Sequence, residues 1–432
     1  MSITSNLIWA TVGKVTSMLS GLVIGILVAR YLGPEQFGLM NWIISYVFLF
    51  QTISIFGLDL IEVREEASHP KDYNAIIGTS FFIRLLMSVV SIALCIGTCL
   101  AMGKDAETTM LVAIYSISVI ANTFSVIRNY FFAIVQNKRV VQSEISRTLI
   151  GMLVKVALLY THAPLVWFVA ATMFDTILLA SGYLVSYKKE VGKVSDWQWS
   201  SKQAIFLLKE SAPLVLCHAA VMIYQRIDQV MIGEMIDEKN VGYFSVATRF
   251  VEILIFIPSV LAQTISPVLT KIRTTNVEEY YRKSQQFMNI SLWGSMTAAI
   301  ATSAASYWLV LYLFGEAYLP SVVILQIMAF KAASVALSNT AGSMIVIEGR
   351  QKYAFVRDVF GCMVCVILNW YFLPRHGVMA AAAISIISNV AAGYLSDAIV
   401  PSYRHLFKMQ TKALVFGAKD LLNIKEYITM KR

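Results

Sequence analysis

Eleven ionisable side chains stand inside otherwise apolar stretches: Lys14, Arg84, Arg128, Lys155, Arg226, Arg249 and Lys331 are basic, and Asp59, Asp175, Asp228 and Glu252 are acidic. A charge at the centre of a membrane-length helix costs about 2.5–3.5 kcal/mol on insertion scales, so such groups tend to face one another or a wet cavity. Seven cations against four anions leave a positive surplus, even where Arg226 pairs with Asp228 and Arg249 with Glu252 on the next turn. An interior of that sign suits an anionic passenger, a phosphate or pyrophosphate held by charge-assisted hydrogen bonds. The seven basic residues are thus candidates for binding such a head group. Asp59, Asp175, Asp228 and Glu252 are candidates for coupling to a proton or a sodium ion. Asp59, Arg84 and Arg128 also stand near span ends, where long side chains can instead reach the interface.

Other chemistry finds little support. No nucleophile–base set, metal-ligand cluster or phosphate-binding glycine loop stands out, so no enzyme, cofactor or metal site is expected. Cys362 and Cys365 have a metal-like spacing, but no second pair follows. With Cys95, Cys99 and Cys217 they fall in apolar runs and read as buried helical thiols.

The elements that position these groups are membrane spans. The 432 residues are 57% hydrophobic and 14% charged, against about 25% charged in a soluble domain. Apolar runs of roughly 18 residues or more recur along the chain, each long enough to cross a bilayer as a helix. They do not alternate polar with apolar, as barrel strands would. Twelve spans are expected, near 7–32, 37–61, 76–102, 110–135, 148–162, 163–187, 211–236, 241–270, 286–314, 319–347, 354–373 and 378–400. The fifth and sixth are divided only at Thr161–Pro164. Of the 35 Lys and Arg, 24 fall in the segments that a cytoplasmic N-terminus would place inside, and four in the short outer loops. That asymmetry puts both termini in the cytoplasm and accounts for the net charge of +9 without nucleic acid. On this topology Lys14, Arg84, Arg128 and Lys155 lie in the cytoplasmic half, and Arg226, Arg249 and Lys331 nearer the middle or the outer half.

The longest inner loop contains Asp196-Trp-Gln-Trp199, which reads as an interfacial aromatic anchor. It divides the chain into a six-helix lobe over 1–195, a second over 196–401, and an amphipathic cytoplasmic tail over 402–432. A long span, a short acidic turn and a Gly begin each lobe, at Arg30–Gly38 and at Gly233–Gly242, a loose internal repeat.

Three segments carry a family resemblance: Asn6-Leu-Ile-Trp9, Ala29-Arg-Tyr-Leu-Gly-Pro-Glu-Gln-Phe-Gly-Leu39, and Phe56-Gly-Leu-Asp59 followed by Arg64-Glu-Glu66. They resemble the N-terminal signature of the polysaccharide-repeat (Wzx-type) flippases, which belong to the multidrug/oligosaccharidyl-lipid/polysaccharide exporter superfamily. The length and span pattern are similar over nearly the whole chain. The resemblance implies an all-α membrane fold of two six-helix lobes around a central cavity. It implies a bacterial inner-membrane protein that moves an undecaprenyl-pyrophosphate-linked oligosaccharide, such as an O-antigen or capsule repeat unit, to the periplasmic leaflet by alternating access. The implied partners are that lipid-linked oligosaccharide, membrane lipids, H+ or Na+, and other polysaccharide-assembly proteins. Two other readings stay open: a multidrug or small-solute antiporter of the same superfamily, and a membrane-embedded sugar-unit polymerase or transferase. The basic surplus disfavours the first, because cationic drugs call for acidic groups. The shortness of the outer loops disfavours the second.

Overall fold

The structure is a computed structural model that describes residues 3–423, apart from the side chains of 3–12, 14, 15, 213, 214, 216, 217 and 421–423. Every regular element among the described residues is helical. Two compact units divide the chain, Met1–Arg226 and Ile227–Arg432. The first holds α1 (Ile3–Ile55), α2 (Leu58–Ser68), α3 (Tyr73–Ala101), α4 (Ala106–Ala121), α5 (Ser125–Ala133), α6 (Asn137–Tyr160), α7 (Leu165–Glu190) and most of α8 (Ser201–Met235). The second holds α9 (Glu238–Thr275), α10 (Val277–Phe314), α11 (Ser321–Met328), α12 (Lys331–Ile347), α13 (Ala354–His376), α14 (Val378–Val390), α15 (Ser396–Ile399) and α16 (Arg404–Phe416). The unit boundary falls inside α8, whereas the sequence suggests a division at 195/196, in the loop before that helix.

Among the described residues, nine helical stretches are long and apolar enough to cross a membrane. The first of them contains two spans. Gly33 has φ 71° and ψ 173°, outside helical space, and Pro34 follows it. Side chains with a Cβ rarely adopt that φ, and proline lacks the N–H that would continue the ladder, so α1 breaks where the turn at Arg30–Gly38 is expected. Helices α6 and α8, of 24 and 35 residues, are as long as spans but more polar. The protein is thus a multi-pass α-helical membrane protein of about twelve spans in two lobes. The fifth and sixth spans are separate, since α6 stops at Tyr160 and α7 starts at Leu165.

In the first unit, Ile77, Val126, Ile127, Phe131, Tyr183 and Tyr187 form a core that joins α3, α5 and α7. The loop before α8 is seated on α3: the Gln198 N–H donates to Asn74 O at 3.1 Å, and the Ser200 N–H to Thr79 Oγ1 at 3.0 Å. Gly78 permits this approach, because a Cβ there would stand 2.6 Å from the Gln198 backbone. Trp197 lies against Phe81 and Tyr187, with ring centroids 5.2 and 5.7 Å apart. Trp197 is thus half-buried against the edge of that core. Trp199, two residues on, remains exposed and meets Phe82 edge-on.

A core of the second unit gathers Tyr280, Phe287, Met288, Leu292, Leu337 and Met344, and is closed by Tyr403, Leu406 and Ala413. Helix α16 docks along α10. The Trp293 indole donates to Ala413 O at 2.9 Å and Gln285 to Met409 O at 3.0 Å, while Leu414, Val415 and Phe416 stay exposed. The expected tail residues Lys425 and Ile428, and the side chains of Leu421 and Leu422, lie outside the described residues. Exposed Leu86 and Leu153 in the first unit and Ile367 in the second present apolar surface, as a lipid-facing helix must. Exposed Trp308, Tyr312 and Trp370 stand near the ends of α10 and α13, where an aromatic belt is expected.

Candidate functional site

The Phe56-Gly57 pair, at φ 49° and 66°, ends α1 and restarts the chain as α2 in a new direction. Asp59, Glu62 and Glu66 then recur three and seven residues apart, on one face of the short helix. That face meets α3 and α5. Arg84, 1% exposed, lies among these carboxylates. Its Nε donates to Glu62 Oε1 at 2.8 Å, and its Nη2 donates to Glu62 Oε2 at 2.8 Å and to Asp59 Oδ1 at 2.6 Å. Its Nη1 donates to Ser125 Oγ at 3.0 Å. The Asn129 amide donates to the same carboxylates, at 2.8 Å to Asp59 and 2.6 Å to Glu62. Arg128, half-buried, lies 3.5 Å from Asp59 Oδ2 and donates to Asn129 Oδ1. Two guanidinium groups therefore face two carboxylates, and the amide links them. Glu66 is 1% exposed and neither of its oxygens makes a hydrogen bond.

Three of the residues singled out in the sequence, Asp59, Arg84 and Arg128, are thus brought into one network. Glu62, Glu66 and Asn129 complete it, although the sequence reading did not include them. A signal for the two glutamates was present in the repeat of Asp59's helix face. All four Arg84 interactions are with protein groups, so its contribution to any binding is to position α2, α3 and α5. Arg128, being half-exposed, can also reach a ligand.

Lys155 and Asp175, both more than four-fifths buried, form a direct ion pair between α6 and α7. Gly151 makes room for it, because any Cβ there would collide with the Asp175 carboxylate. Helix α6 begins at Asn137, eleven residues before the expected start at 148, so Lys155 stands five residues from its far end. The Lys14 side chain lies outside the described residues.

Arg226 is half-buried, with its guanidinium carbon 5.8 Å from the centre of the Phe48 ring, a cation–π distance. In the second unit, Asp228 is 4% exposed and accepts from the Asn369 amide at 2.7 Å and the Cys365 thiol at 3.2 Å. Lys331 lies within electrostatic reach of that carboxylate. Cys365, on α13, therefore acts as a hydrogen-bond donor in a buried polar cluster. Arg249 and Glu252 share α9, the first half-buried and the second exposed. Arg226 stands nine residues from the end of α8 and Arg249 eleven from the start of α9, roughly 14–17 Å along at 1.5 Å per residue. Lys331 opens α12, ten residues into the apolar stretch Ser321–Ile347.

Comparison with known proteins adds two findings. The family model described as polysaccharide biosynthesis protein matches residues 3–273. Among solved structures, the chain is similar to an inward-facing multidrug resistance MATE family transporter of the MOP superfamily, with a TM-score of 0.71 at 17% identity, covering 91% of this chain and 96% of that one. It is similar to the lipid II flippase MurJ in an inward closed conformation, with a TM-score of 0.70 at 15% identity, covering 94% and 91%. A MOP superfamily transporter from Pyrococcus furiosus Vc1, described as having a binding pocket of reversed polarity, gives a TM-score of 0.62 at 15% identity, covering 94% and 95%. No curated protein matches the chain in sequence. At such identities the structural likeness establishes the fold alone.

Proposed function

We propose, from the fact that this chain belongs to the polysaccharide biosynthesis protein family, that it is a flippase for an undecaprenyl-pyrophosphate-linked oligosaccharide. It moves the head group from the cytoplasmic to the periplasmic leaflet of a bacterial inner membrane, with both termini cytoplasmic, in O-antigen or capsule assembly. The observation that carries this reading is the family match over 3–273 on a fold shared with a lipid II flippase. The physical problem is the head group: its charges cannot enter hydrocarbon unaided, while the polyprenyl tail already sits there. Arg226, Arg249 and Lys331, nine to eleven residues in from the nearer ends of their helical stretches, receive the pyrophosphate, and Arg128 and Lys14 act nearer the cytoplasm. Arg84 and Lys155 hold the surrounding helices through their carboxylates. The lobes then alternate the side to which the site opens. Asp59, Asp175, Asp228 and Glu252 are the candidate groups for coupling to H+ or Na+. The protein acts as a transporter, without a catalytic residue or cofactor.

The test reconstitutes the full chain in vesicles and follows labelled lipid-linked oligosaccharide from one leaflet to the other. Arg226→Ala, Arg249→Ala and Lys331→Ala each remove a charge-assisted contact of about 1.5–3 kcal/mol, so transfer slows about tenfold to a hundredfold. Unchanged transfer in all three removes the cation assignment, and no transfer by the wild type removes the function. The similarity to a multidrug resistance transporter favours a second reading, antiport of small solutes. Ion-driven uptake of a cationic dye by the same vesicles, without lipid transfer, would select it.

A further inference from the structure

The helix after α14 contains one π turn, Ala391–Leu395. A π turn widens the ladder and leaves carbonyls to be satisfied from outside, and such turns recur at functional sites. Here Arg357 of α13 takes that role. Its Nε donates to Ala392 O at 3.3 Å and its Nη2 to Gly393 O at 3.4 Å and to Ser338 Oγ at 3.1 Å. Nε also stands 3.4 Å from Asp397 Oδ1, a carboxylate with no exposed surface. Arg357 lies at the start of the expected span 354–373 and is 7% exposed. Its Nη1 lies 3.8 Å from where a Cβ on Gly342 would stand. Beyond Gly342 is a cavity of about 440 Å³, lined by Ser266, Asn339, Ser343, Arg357 and Asp358. That volume falls within the ~300–1,000 Å³ of small-molecule sites. It lies in the second unit alone, at the end where the Gly349 turn joins α12 to α13.

We infer that this cavity is a subsite for the neutral sugar part of the cargo. The inference rests on the reading of the cargo as a lipid-linked oligosaccharide. Charge decides against the pyrophosphate. The single guanidinium is already matched by Asp397, and Asp358 adds a second carboxylate, so the lining has no positive surplus. A multiply charged anion is repelled there. What the walls do offer is a mixture of hydroxyls, an amide, a carboxylate acceptor and an arginine donor, which suits groups that both give and accept hydrogen bonds. Sugar hydroxyls do so. Arginine held by the π turn keeps its place before the ligand arrives, which lowers the cost of binding. Division of labour follows, with phosphate on Arg226, Arg249 and Lys331 and sugar in this polar recess.

The experiment uses the purified full chain carrying Ser343→Cys and measures its alkylation rate. The probes are free oligosaccharide released by hydrolysis of the host's own surface polysaccharide, and inorganic pyrophosphate. Protection of at least fivefold by the oligosaccharide, with none by pyrophosphate, is expected. Protection by pyrophosphate alone, or by neither, overturns the assignment. Gly342→Leu fills the recess from the side where its Cβ would meet Arg357 Nη1 at 3.8 Å, an ordinary van der Waals distance, and is expected to lower transfer of the glycosylated lipid at least tenfold while leaving transfer of bare undecaprenyl pyrophosphate within twofold. Equal transfer of both lipids by this variant also overturns it. If the wild type moves neither lipid, the proposed function fails, and the alkylation result still decides whether the recess binds sugar.

Discussion

At the scale of single residues, the buried network around Arg84 makes a prediction of sign as well as size. Glu62 has no exposed surface and takes two of the four Arg84 hydrogen bonds. Glu62→Ala leaves a buried guanidinium half-compensated, and breaking a buried pair from one side costs about 3–5 kcal/mol. Thermal unfolding in detergent is expected to shift down by many degrees. Glu66, equally buried but without a hydrogen bond, behaves differently. Glu66→Gln exchanges a carboxyl for a neutral amide of the same shape, so the melting temperature is expected to hold or rise. A large loss on Glu66→Gln would mean that its charge supports Arg84 through space. These residues also mark the reach of sequence reasoning. Asp59, Arg84 and Arg128 were visible as charges in apolar runs. Glu62 and Glu66 sit just past the expected span end at 61, so a search for charges inside spans does not reach them, although they share Asp59's face. Which carboxylate meets which arginine depends on contacts between groups 22 to 70 residues apart, and local spacing does not encode those.

At the scale of elements, the breaks are more legible than the starts. Gly33-Pro34, Thr161–Pro164 and Phe56-Gly57 are turn chemistry that can be read directly, and each ends a helix. Helix α6 runs eleven residues beyond the expected apolar span, because Asn137–Arg147 is polar and still helical. The half-burial of Trp197 comes from the seating of its loop on α3, a contact that local spacing does not encode. A pair of glycine substitutions tests this account of α1. Around Gly33 and Gly21 alike, a new Cβ meets nothing within 4 Å, so packing does not separate them. Backbone geometry does. Gly33→Ala forces a Cβ onto a backbone at φ 71° and ψ 173°, a region essentially confined to glycine, and is expected to cost about 1–3 kcal/mol. Gly21→Ala, inside regular helix, is expected to stabilise by about 0.5–1 kcal/mol. Thermal unfolding of the two variants should move in opposite directions, and a destabilised Gly21→Ala would show that a lipid or partner helix needs that surface bare.

At the scale of the whole molecule, sequence gave the fold class because twelve apolar runs are a property of composition and length, and a helix is the simplest way to satisfy every backbone group in hydrocarbon. Orientation is a further consequence of charge. Each basic residue near a span end resists crossing, and 24 of them fall in alternate segments against four in the others. The side assignment can be read from single cysteines attacked by a membrane-impermeant thiol reagent. Lys239→Cys, at the start of α9, and Glu316→Cys, just after α10, occupy exposed positions expected outside. Lys188→Cys and Arg282→Cys occupy exposed sites expected inside, at the end of α7 and the start of α10. The first pair is expected to react in intact cells, and the second only after lysis. Reversal of all four sites would mean either that both termini lie outside or that α6, which precedes all four, does not cross. A split of the inner pair, with Lys239 and Glu316 both inside, would mean that α8 does not cross. Every depth assigned to Arg226, Arg249 and Lys331 would then have to be drawn again from the new topology, and with it the direction in which the head group is carried.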